Sequence, residues 1–348
     1  HNSVTSIKSC LIQKMDHPDS IRNDTNSQTL SRLLMIRTKD SELVLLLNAL
    51  QTACKLVARS VRKAGIAGLY GAAGSENATG DSQKKLDVLS NDMFVNSLYN
   101  SSVCAVLVSE ENEEPIIVEP GLSGPFCIAF DPLDGSSNID CNVSTGTIFS
   151  VWRKTHDGIA TVEDILRPGS EMICAGYCAY GSATELVITY GHGVERYTLD
   201  PSIGEFVLTA ENLVIPAESK TIYSVNDGNY TTWDEKMQRA VDGFKFNTPP
   251  YSARYVGSMV SDVHRTLLYG GVYLYPPDAK KGNGKLRILY EGFPMAMIIE
   301  QAGGDASTGL FRGEISRILD LKPKGIHDKC PVIIGCKRDV QRVLSYYA

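Results

Sequence analysis

The stretch of this chain whose residue types are best suited to chemistry is Phe130–Asn138, with the sequence FDPLDGSSN. Two aspartates, Asp131 and Asp134, lie three residues apart at the end of an apolar run that has the composition of a buried strand. Pro132 cannot donate a hydrogen bond to a neighbouring strand, so we expect the strand to end there and both carboxylates to lie in a loop. Paired carboxylates of this kind can hold a hard cation such as Mg²⁺.

A glycine and two serines follow the second aspartate directly, at residues 135–137. Residues this small allow backbone N–H groups to surround an anion such as a phosphate. A carboxylate pair next to such a site indicates metal-assisted phosphate chemistry, in which cations neutralise phosphoryl oxygens and activate a water. The alternative interpretation is an ordinary turn after a strand, which is the usual role of Asp-Gly next to proline.

The composition indicates a chain with a large core and no nucleic-acid-binding character. Its 348 residues are enough for one large domain or two of ordinary size. The 34 Lys and Arg residues against 40 Asp and Glu residues give a net charge of −6, with no basic block. Nucleic acid is therefore not an expected partner, and an anionic substrate would need local cations or metal ions.

The nine cysteines are scattered, several of them in apolar runs where a free thiol behaves as a small core residue. They form no Cys/His cluster at zinc-binding spacing, so we expect a reducing compartment, the cytoplasm. No apolar stretch is expected to reach the length of a membrane span, and the N-terminus lacks a signal-peptide core, so no membrane partner is expected. Residues 1–29 are polar and are expected to form a flexible segment.

Hydrophobic periodicity predicts the elements that must position these side chains. In the first part of the chain it predicts helices over Leu43–Val61 and Asp87–Tyr99 and a strand over Val103–Val108. The glycine-rich segment Gly65–Asp81 between the two helices is expected to be a mobile loop that delivers its last aspartate. Short strands predominate over Thr147–Thr209, which favours an antiparallel or mixed sheet.

In the last third of the chain, helices and strands alternate. The predicted strands are Thr221–Val225, Val272–Tyr275 and Val332–Gly335, and the predicted helices are Trp233–Val241, Met259–Tyr269, Pro294–Ala302 and the chain after residue 335. We expect an α/β fold, layered as α+β, of alternating helix and mixed-sheet layers. The expected sub-domains are residues 30–210, which carry most of the acidic residues, and residues 211–348.

Acidic residues stand at the ends of several predicted elements that are far apart in the sequence. They are Asp81, Asp87, Glu110, Glu111, Asp131, Asp134 and Glu291. If the fold brings them together, their oxygens suit about two or three Mg²⁺ or Mn²⁺ ions, which prefer carboxylate, carbonyl and water ligands. Taken singly, each is as well explained as a solvated charge or a helix cap.

Candidate partners for a substrate phosphate lie in the last third. Arg254, Lys285 and Arg287 are cationic, and Tyr255 and Tyr275 could donate hydroxyl groups to the same anion. The alternative interpretation of the alternating Lys-Leu-Arg run is a half-exposed strand.

Five separated stretches identify a resemblance that covers the chain from about residue 29 to its end. They are KKLDVLSND (84–92), LVSEE (107–111), FDPLDGSSNID (130–140), ARYVGSMVSDVHRTLLYGG (253–271) and NGKLRILYE (283–291). On these residues the chain resembles the fructose-1,6-bisphosphatase family. The resemblance implies the sugar-phosphatase fold and metal-dependent hydrolysis of fructose 1,6-bisphosphate to fructose 6-phosphate and phosphate. Long matches in five places exclude a chance similarity.

The resemblance also implies roles for individual residues. The metal ligands would be Glu110, Asp131, the Leu133 carbonyl, Asp134 and Glu291. Asp81 would add a metal ligand or a catalytic proton acceptor when its loop closes. The residues that orient and deprotonate the attacking water would be Asp87 and Glu111. The residues around the reacting phosphate and the sugar would be Asp134, Gly135, Ser136, Ser137, Lys285 and Arg287, the last also with a catalytic role. The residues around the 6-phosphate would be Asn226, Tyr230, Arg254, Tyr255, Gly257, Ser258 and Tyr275.

Members of the family assemble as homotetramers, so the resemblance implies that Arg254 reaches the site of a neighbouring subunit. The implied cofactor is Mg²⁺, with Mn²⁺ or Zn²⁺ as alternatives.

The chain departs from the family pattern at two places. Where family members often have a tyrosine three residues after Asn226, this chain has Asn229 followed by Tyr230, so either residue could contact the phosphate. The turn at residues 37–42 and the pair Pro125-Phe126 differ from the AMP-inhibited members, so we expect no AMP site of the usual kind, although Arg153 matches.

Two alternative functions remain at this point. Sedoheptulose-1,7-bisphosphatase shares the metal motifs, although Tyr255 and the Leu-Tyr-Pro run at 274–276 resemble the fructose enzyme. A catalytically silent regulator built on the same scaffold is the other alternative, and the presence of every metal carboxylate argues against it.

Overall fold

The computed structural model describes residues 28–76, 82–279 and 282–348, and within these ranges the chain forms seven α-helices and eighteen strands. The helices are α1 (Leu30–Arg37), α2 (Ser41–Lys63), α3 (Lys85–Tyr99), α4 (Glu235–Lys245), α5 (Met259–Tyr269), α6 (Phe293–Gln301) and α7 (Lys337–Leu344). The strands are β1 (Ala72–Glu76), β2 (Ser82–Lys84), β3 (Cys104–Ser109), β4 (Ile116–Ile117), β5 (Phe126–Asp134), β6 (Thr145–Arg153), β7 (Cys174–Tyr180), β8 (Thr184–Thr189), β9 (Val194–Asp200), β10 (Glu205–Ala210), β11 (Ile222–Ser224), β12 (Ser252–Ala253), β13 (Val272–Tyr275), β14 (Leu286–Arg287), β15 (Asp305–Phe311), β16 (Glu314–Arg317), β17 (Lys329–Cys330) and β18 (Val332–Gly335).

Two mixed sheets form the framework. The first has eight strands in the order β10-β9-β8-β7-β6-β5-β3-β4, and only the pairing of β3 with β5 is parallel. The second has six strands in the order β12-β11-β13-β18-β15-β16, in which β11 runs parallel to both of its neighbours. The prediction of short strands in a mixed sheet is confirmed.

Helices cover the faces of both sheets, so the chain is layered. α5 and α6 lie between the sheets, since each contacts strands of both. α6 is buried on all sides, because it is covered from two directions, as expected of a helix with an apolar surface all round. α2 and α3 contact the first sheet, and α7 contacts the second sheet and α4. The expected fold of alternating helix and mixed-sheet layers is confirmed.

The apolar stripe of α2 packs into the core. Leu46, Leu50 and Val57 are buried, whereas Arg59 and Arg62 lie on the outer side. By length and composition alone α2 is apolar enough to cross a membrane, contrary to the expectation that no stretch reaches that length. Its burial against the core of this fold explains the apolar composition.

Three other sequence predictions need correction or limits. The segment 65–81 is not wholly irregular, because β1 pairs antiparallel with β2 across residues 77–81, which lie outside the described residues. β15 and β16 are not predicted from the sequence, since the residues of β15 are mostly small or polar although nearly all are buried. Of the N-terminal segment expected to be flexible, residues 1–27 also lie outside the described ranges, while Gln28 and Thr29 pair with β10.

The division into sub-domains at residues 210 and 211 stays a prediction. One contiguous core cluster contains residues of both sheets, together with α5 and α6.

Candidate active site

The acidic side chains converge because two parallel strands end at the same edge of the first sheet. In the pairing of β3 with β5, Ser109 lies beside Phe130, and the amide of Glu110 donates to the carbonyl of Phe130 at 3.1 Å. The turn after β3 therefore brings Glu110 and Glu111 next to the aspartates of β5. These carboxylates line a cleft to which residues of both sheets contribute.

The two aspartates lie within a strand, so the expectation that the strand ends at Pro132 is wrong. β5 continues to Asp134 through a bulge that begins after Asp131. The ladder between β3 and β5 stops at Phe130, so Pro132 interrupts no hydrogen bond on that side, and its carbonyl accepts a hydrogen bond from Thr147 Oγ1 at 2.8 Å. The bulge re-aims the side chains, which is a common use of bulges next to functional sites.

Glu291 reaches the same cleft from a π-helical turn, Ile288–Gly292, that lies immediately before α6. The backbone amide of Arg287 donates to Glu291 Oε2 at 2.6 Å and orients the carboxylate. One oxygen from each of Asp131, Asp134 and Glu291 lies within 4.8 Å of the other two. This spacing and the all-oxygen donor set fit a hard divalent cation.

Burial and mutual repulsion raise the pKa values of these carboxyl groups. Burial raises the pKa of Asp131 well above its ordinary value, and the charge of Glu110 adds to the shift. Burial also raises the pKa of Asp134 to about 7, although the amide of Val260, which donates to Asp134 Oδ2 at 3.0 Å, opposes the shift. For Glu291, burial raises the pKa to about 8. A divalent cation would relieve the repulsion among these groups.

Asp87 and Glu111 line the cleft beside this cluster. The amide of Lys84 donates to Asp87 Oδ2 at 2.7 Å, and Gln83 Nε2 donates to Glu111 Oε2 at 2.6 Å. Burial raises the pKa of Asp87 to about 6 and the pKa of Glu111 to about 7. Carboxyl groups that titrate near neutral pH are suited to accept and return a proton.

Residues 135–137 form the part of the cleft suited to an anion. Gly135 has φ +76°, and an added Cβ would lie 3.2 Å from Ser258 Cβ, so both its backbone conformation and its surroundings favour glycine. The 3₁₀ turn Ser136–Cys141 follows, and the first amides of such a turn have no partner within it. Ser136 and Ser137 line the cleft, whereas Ser258 is buried behind Gly135.

The two cations expected from the sequence, Lys285 and Arg287, line the same cleft as the carboxylates. Arg287 Nη2 lies 2.8 Å from Glu110 Oε1. Leu286–Arg287 form strand β14, with Lys285 exposed and Leu286 buried as the alternative of a half-exposed strand predicts, but Arg287 departs from that pattern because it is only 6 % exposed. Its guanidinium is paired with Glu110 and lies 3.9 Å from Glu291 in a poorly solvated position.

The end of the cleft away from the carboxylates is formed by Tyr255, Gly257 and Tyr275. The turn that carries Tyr255 and Gly257 is held by a buried carboxylate, Asp262, which accepts hydrogen bonds from the amides of Val256 and Gly257 at 3.0 Å each. The backbone of this turn is thereby held in place.

Asn226 and Tyr230, two of the expected phosphate ligands, do not line this cleft. Asn226 borders a small neighbouring cavity together with Asn229 and Tyr275, which also lines the cleft. The hydroxyl of Tyr230 donates to Asp242 Oδ2 at 2.7 Å. Of the two residues left open by the sequence, the structure thus places Asn229 beside Asn226 and turns the Tyr230 hydroxyl elsewhere.

Arg254 is another expected residue that does not line the cleft. Arg254 is exposed, donates to the carbonyl of Ala253 at 2.9 Å and lines a separate groove with Lys220 and Arg265. Asp81 lies outside the residues that the structure describes.

Sequence reasoning missed three residues that shape the site. Lys84 lines the cleft and pairs with Asp140 at 2.8 Å, Gln83 orients Glu111, and Asp262 holds the turn opposite. Lys84 and Asp262 stand inside two of the stretches that carry the family resemblance, which is the signal that could have identified them.

Comparison with known proteins agrees with this geometry. The family model described as fructose-1-6-bisphosphatase, N-terminal domain, matches residues 28–211, and the model described as the C-terminal domain matches residues 215–348. The chain belongs to the fructose-1,6-bisphosphatase family. As a member of this family it is a phosphatase, as the sequence predicts.

Curated relatives and solved structures match nearly the whole chain. The protein named cytosolic fructose-1,6-bisphosphatase from Oryza coarctata is 50% identical over 96% of this chain and 97% of its own length. The one of the same name from Arabidopsis thaliana is also 50% identical, over 96% of this chain and 98% of its own. The holo form of Leishmania major fructose-1,6-bisphosphatase has a TM-score of 0.88 and 47% identity, over 92% of this chain and 99% of that chain. The compartment in the plant names is the one expected from the sequence.

We predict that the metal-free protein loses stability as the pH rises from about 4 to about 8. The carboxyl groups have pKa values of about 4 in an unfolded chain, whereas burial raises those of Asp134 and Glu291 to about 7 and about 8 in the folded one. Between these limits the folded chain binds more protons than the unfolded chain, so the free energy of unfolding falls as the pH rises. Divalent cations bind the deprotonated groups and should restore stability most at the upper end.

Melting temperatures measured across this pH range with and without Mg²⁺ check the prediction, and Asp134→Asn provides the comparison. The difference in melting temperature between Asp134→Asn and the unchanged protein, both without metal, isolates the carboxyl cluster from other titrating groups. The variant should become the more stable of the two as the pH rises. Parallel profiles, or no Mg²⁺ effect at about pH 8, would contradict the prediction.

Proposed function

We propose that this chain hydrolyses fructose 1,6-bisphosphate to fructose 6-phosphate and inorganic phosphate in the cytoplasm, with divalent metal ions. The observation that carries the proposal is the convergence of Asp131, Asp134 and Glu291 in one cleft with Glu111 and the turn at residues 135–137. The relatives named fructose-1,6-bisphosphatase, which match along nearly the whole chain, support this substrate.

The metal ions would be held at the acidic end of the cleft. The proposed ligands are Glu110, Asp131, the Leu133 carbonyl, Asp134 and Glu291, together with Asp81 from the undescribed part of the chain. Their oxygen donors favour Mg²⁺, about two or three ions per subunit, with Mn²⁺ or Zn²⁺ as alternatives. When bound, such ions supply positive charge to phosphoryl oxygens and acidify a nearby water.

Glu111 and Asp87 are the proposed proton acceptors for the attacking water. Their raised pKa values, about 7 and about 6, lie close enough to neutrality for a carboxylate to take a proton and release it again. Gln83 donates to one oxygen of Glu111, which leaves the other oxygen to receive the proton.

The phosphate that is removed would lie between residues 135–137 and the cations. The backbone amides of the Gly-Ser-Ser turn donate to its oxygens, and Lys285 and Arg287 balance its charge from the opposite wall. Because Arg287 is buried and paired with Glu110, its guanidinium is held in place before the substrate arrives.

The 6-phosphate would lie at the other end of the cleft. Tyr255 and Tyr275 are placed to donate hydroxyl groups, and the turn at Gly257 and Ser258 limits the space beside them. We assign Asn226 to the same phosphate through the small cavity that it shares with Tyr275. Tyr230 is the weaker candidate of the expected set, because its hydroxyl is already bonded.

Phosphate release measured with fructose 1,6-bisphosphate and with sedoheptulose 1,7-bisphosphate in Mg²⁺ tests the proposal. We expect a preference for the fructose ester, because the family resemblance at residues 253–276 follows the fructose enzyme. Turnover of sedoheptulose 1,7-bisphosphate alone would assign the other substrate, and turnover of neither would favour a catalytically silent regulator.

AMP should leave this activity unchanged. Arg153, the one residue that matches the AMP-inhibited members, is paired with Asp40 and Glu42, and its guanidinium lies 4.6 Å from the ring centre of Phe126. Two carboxylates beside the arginine disfavour a phosphate there. Inhibition by AMP in the same assay would show that these pairs open for a nucleotide.

Glu111→Gln should lower kcat by about 100- to 10,000-fold with little change in KM, because the amide cannot accept the proton of water. Glu113→Gln is the matched control, since Glu113 is an exposed residue after the same turn, and it should keep the activity of the unchanged protein. Equal losses in the two variants, or none in Glu111→Gln, would remove Glu111 from the proposed role.

We also propose that the chain assembles as a homotetramer in which Arg254 completes the site of a neighbouring subunit. Its exposed position outside the cleft of its own chain supports this assignment. Arg254→Ala should then raise KM for the bisphosphate by about 10- to 100-fold, the value of a charged hydrogen bond to phosphate. Arg239→Ala, another exposed arginine, on α4, should leave KM unchanged. Light scattering after gel filtration measures the assembly, and a fully active monomer would contradict the proposal.

A further inference from the structure

A chain of hydrogen bonds that uses none of the residues assigned above joins the two turns that carry the glutamates of the cleft. The ring of His327 lies between Tyr290 and the backbone of Asn112. Its Nδ1 is 2.7 Å from the hydroxyl of Tyr290, and its Nε2 is 3.0 Å from the carbonyl oxygen of Asn112. Asn112 follows Glu110 and Glu111 directly, and Tyr290 precedes Glu291 directly.

The protonation of the ring follows from its two partners. A carbonyl oxygen can only accept a hydrogen bond, so Nε2 carries a proton and donates to Asn112. In the neutral ring Nδ1 is then an acceptor, and the Tyr290 hydroxyl donates to it. Burial lowers the pKa of His327, which favours this neutral form. Both ring nitrogens are therefore committed, and the ring cannot turn over without losing both hydrogen bonds.

The turn at residues 109–112 is held on its other side by α3. The amide of Asn112 donates to the carbonyl of Ser109 at 3.3 Å and closes the turn. Asn91 bridges its two ends, because it accepts from Ser109 Oγ at 2.7 Å and donates to Asn112 Oδ1 at 2.8 Å. His327 is thus the support that reaches this turn from the opposite, C-terminal half of the chain, 215 residues away in the sequence.

This support acts where repulsion is strongest. Glu110 and Glu291 are both buried, and each raises the pKa of Asp131 through its charge. Arg287 attracts the two glutamates, but a single guanidinium does not define the position of two separate turns. Tyr290 is fully buried in the π-helical turn, so its hydroxyl provides a rigid reference point on that side.

We propose that His327 is a positioning residue that fixes the Glu110–Glu111 turn relative to Glu291 through the Tyr290–His327–Asn112 hydrogen bonds. The proposal rests on the proposed function, because its purpose is to keep the carboxylates at the spacing that hydrolysis requires. Partners of this outer kind orient the groups that act directly and affect activity without touching the substrate.

Four variants test the proposal. His327→Phe keeps a ring of similar size and removes both hydrogen bonds, whereas His327→Gln keeps an amide that can donate to Asn112. Tyr290→Phe removes only the hydroxyl. The matched control is Tyr177→Phe, because Tyr177 makes an equivalent hydrogen bond of 2.7 Å to Nδ1 of another histidine, His264, whose Nε2 pairs with Glu185 rather than with the turn.

We expect His327→Phe to lower kcat by about 10- to 100-fold, the usual effect of losing an outer partner, with KM for fructose 1,6-bisphosphate little changed. In the same variant, the Mg²⁺ concentration needed for half-maximal activity should rise. The kcat of His327→Gln should be close to that of the unchanged protein. The kcat of Tyr290→Phe should lie between those of His327→Phe and His327→Gln, and Tyr177→Phe should retain the kcat of the unchanged protein. Hydrogen exchange, which needs no substrate, should accelerate in residues 109–114 for His327→Phe and Tyr290→Phe and not for Tyr177→Phe.

Unchanged exchange at residues 109–114 in His327→Phe would overturn the proposal, as would equal kcat losses in His327→Phe and His327→Gln, or a loss that Tyr177→Phe shares. If His327→Phe does not fold, the comparison of Tyr290→Phe with Tyr177→Phe decides in the same way. Failure of the unchanged protein to hydrolyse the bisphosphate would instead refute the proposed function, while the exchange comparison would still decide whether His327 holds the turn.

Discussion

Four carboxyl groups, those of Glu110, Asp131, Asp134 and Glu291, share one buried end of the cleft, and their mutual repulsion is the constraint on which the surrounding structure depends. Buried like charges are costly in a medium of low dielectric. The pKa values of Asp131, Asp134 and Glu291, which burial raises, express that cost, and Arg287 and the supporting backbone amides reduce it only in part. A site of this kind keeps its geometry because rigid elements hold each group, and it gains stability when divalent cations bind.

Short irregular segments next to regular strands and helices place these carboxyl groups. Two parallel strands bring the turn after β3 beside the end of β5, a bulge re-aims the aspartates, and a π-helical turn inserts Glu291 from α6. Bulges and π-turns cost some regular hydrogen bonding and are common at functional sites. Here each lies between well-packed elements, since α5 and α6 are enclosed by both sheets. The packing of the layers therefore maintains the irregular backbone at their edge.

The cleft also reconciles an acidic chain with an anionic substrate. The net charge of −6 opposes phosphate binding at long range, and the carboxylate end repels it further without metal. The opposing features are local: the amides of residues 135–137, the buried guanidinium of Arg287, and the hydroxyl groups of Tyr255 and Tyr275. In the proposed function, each end of the cleft binds one part of a sugar bisphosphate, and the phosphate that is removed lies at the acidic end.

Local periodicity in the sequence determined most of the elements, including α5 and β13 with their observed bounds. Five long stretches of sequence identified the family and its metal-dependent chemistry. Those signals are short-range, because side chains report the burial of their own helix or strand. Tertiary structure alone decided the bulge at Pro132, the burial of Arg287, the direction of the Tyr230 hydroxyl and the place of His327 between two turns. All of these except the Tyr230 hydroxyl depend on a partner far away in the chain, and a carbonyl 215 residues away leaves no mark on the residues next to His327 in the sequence.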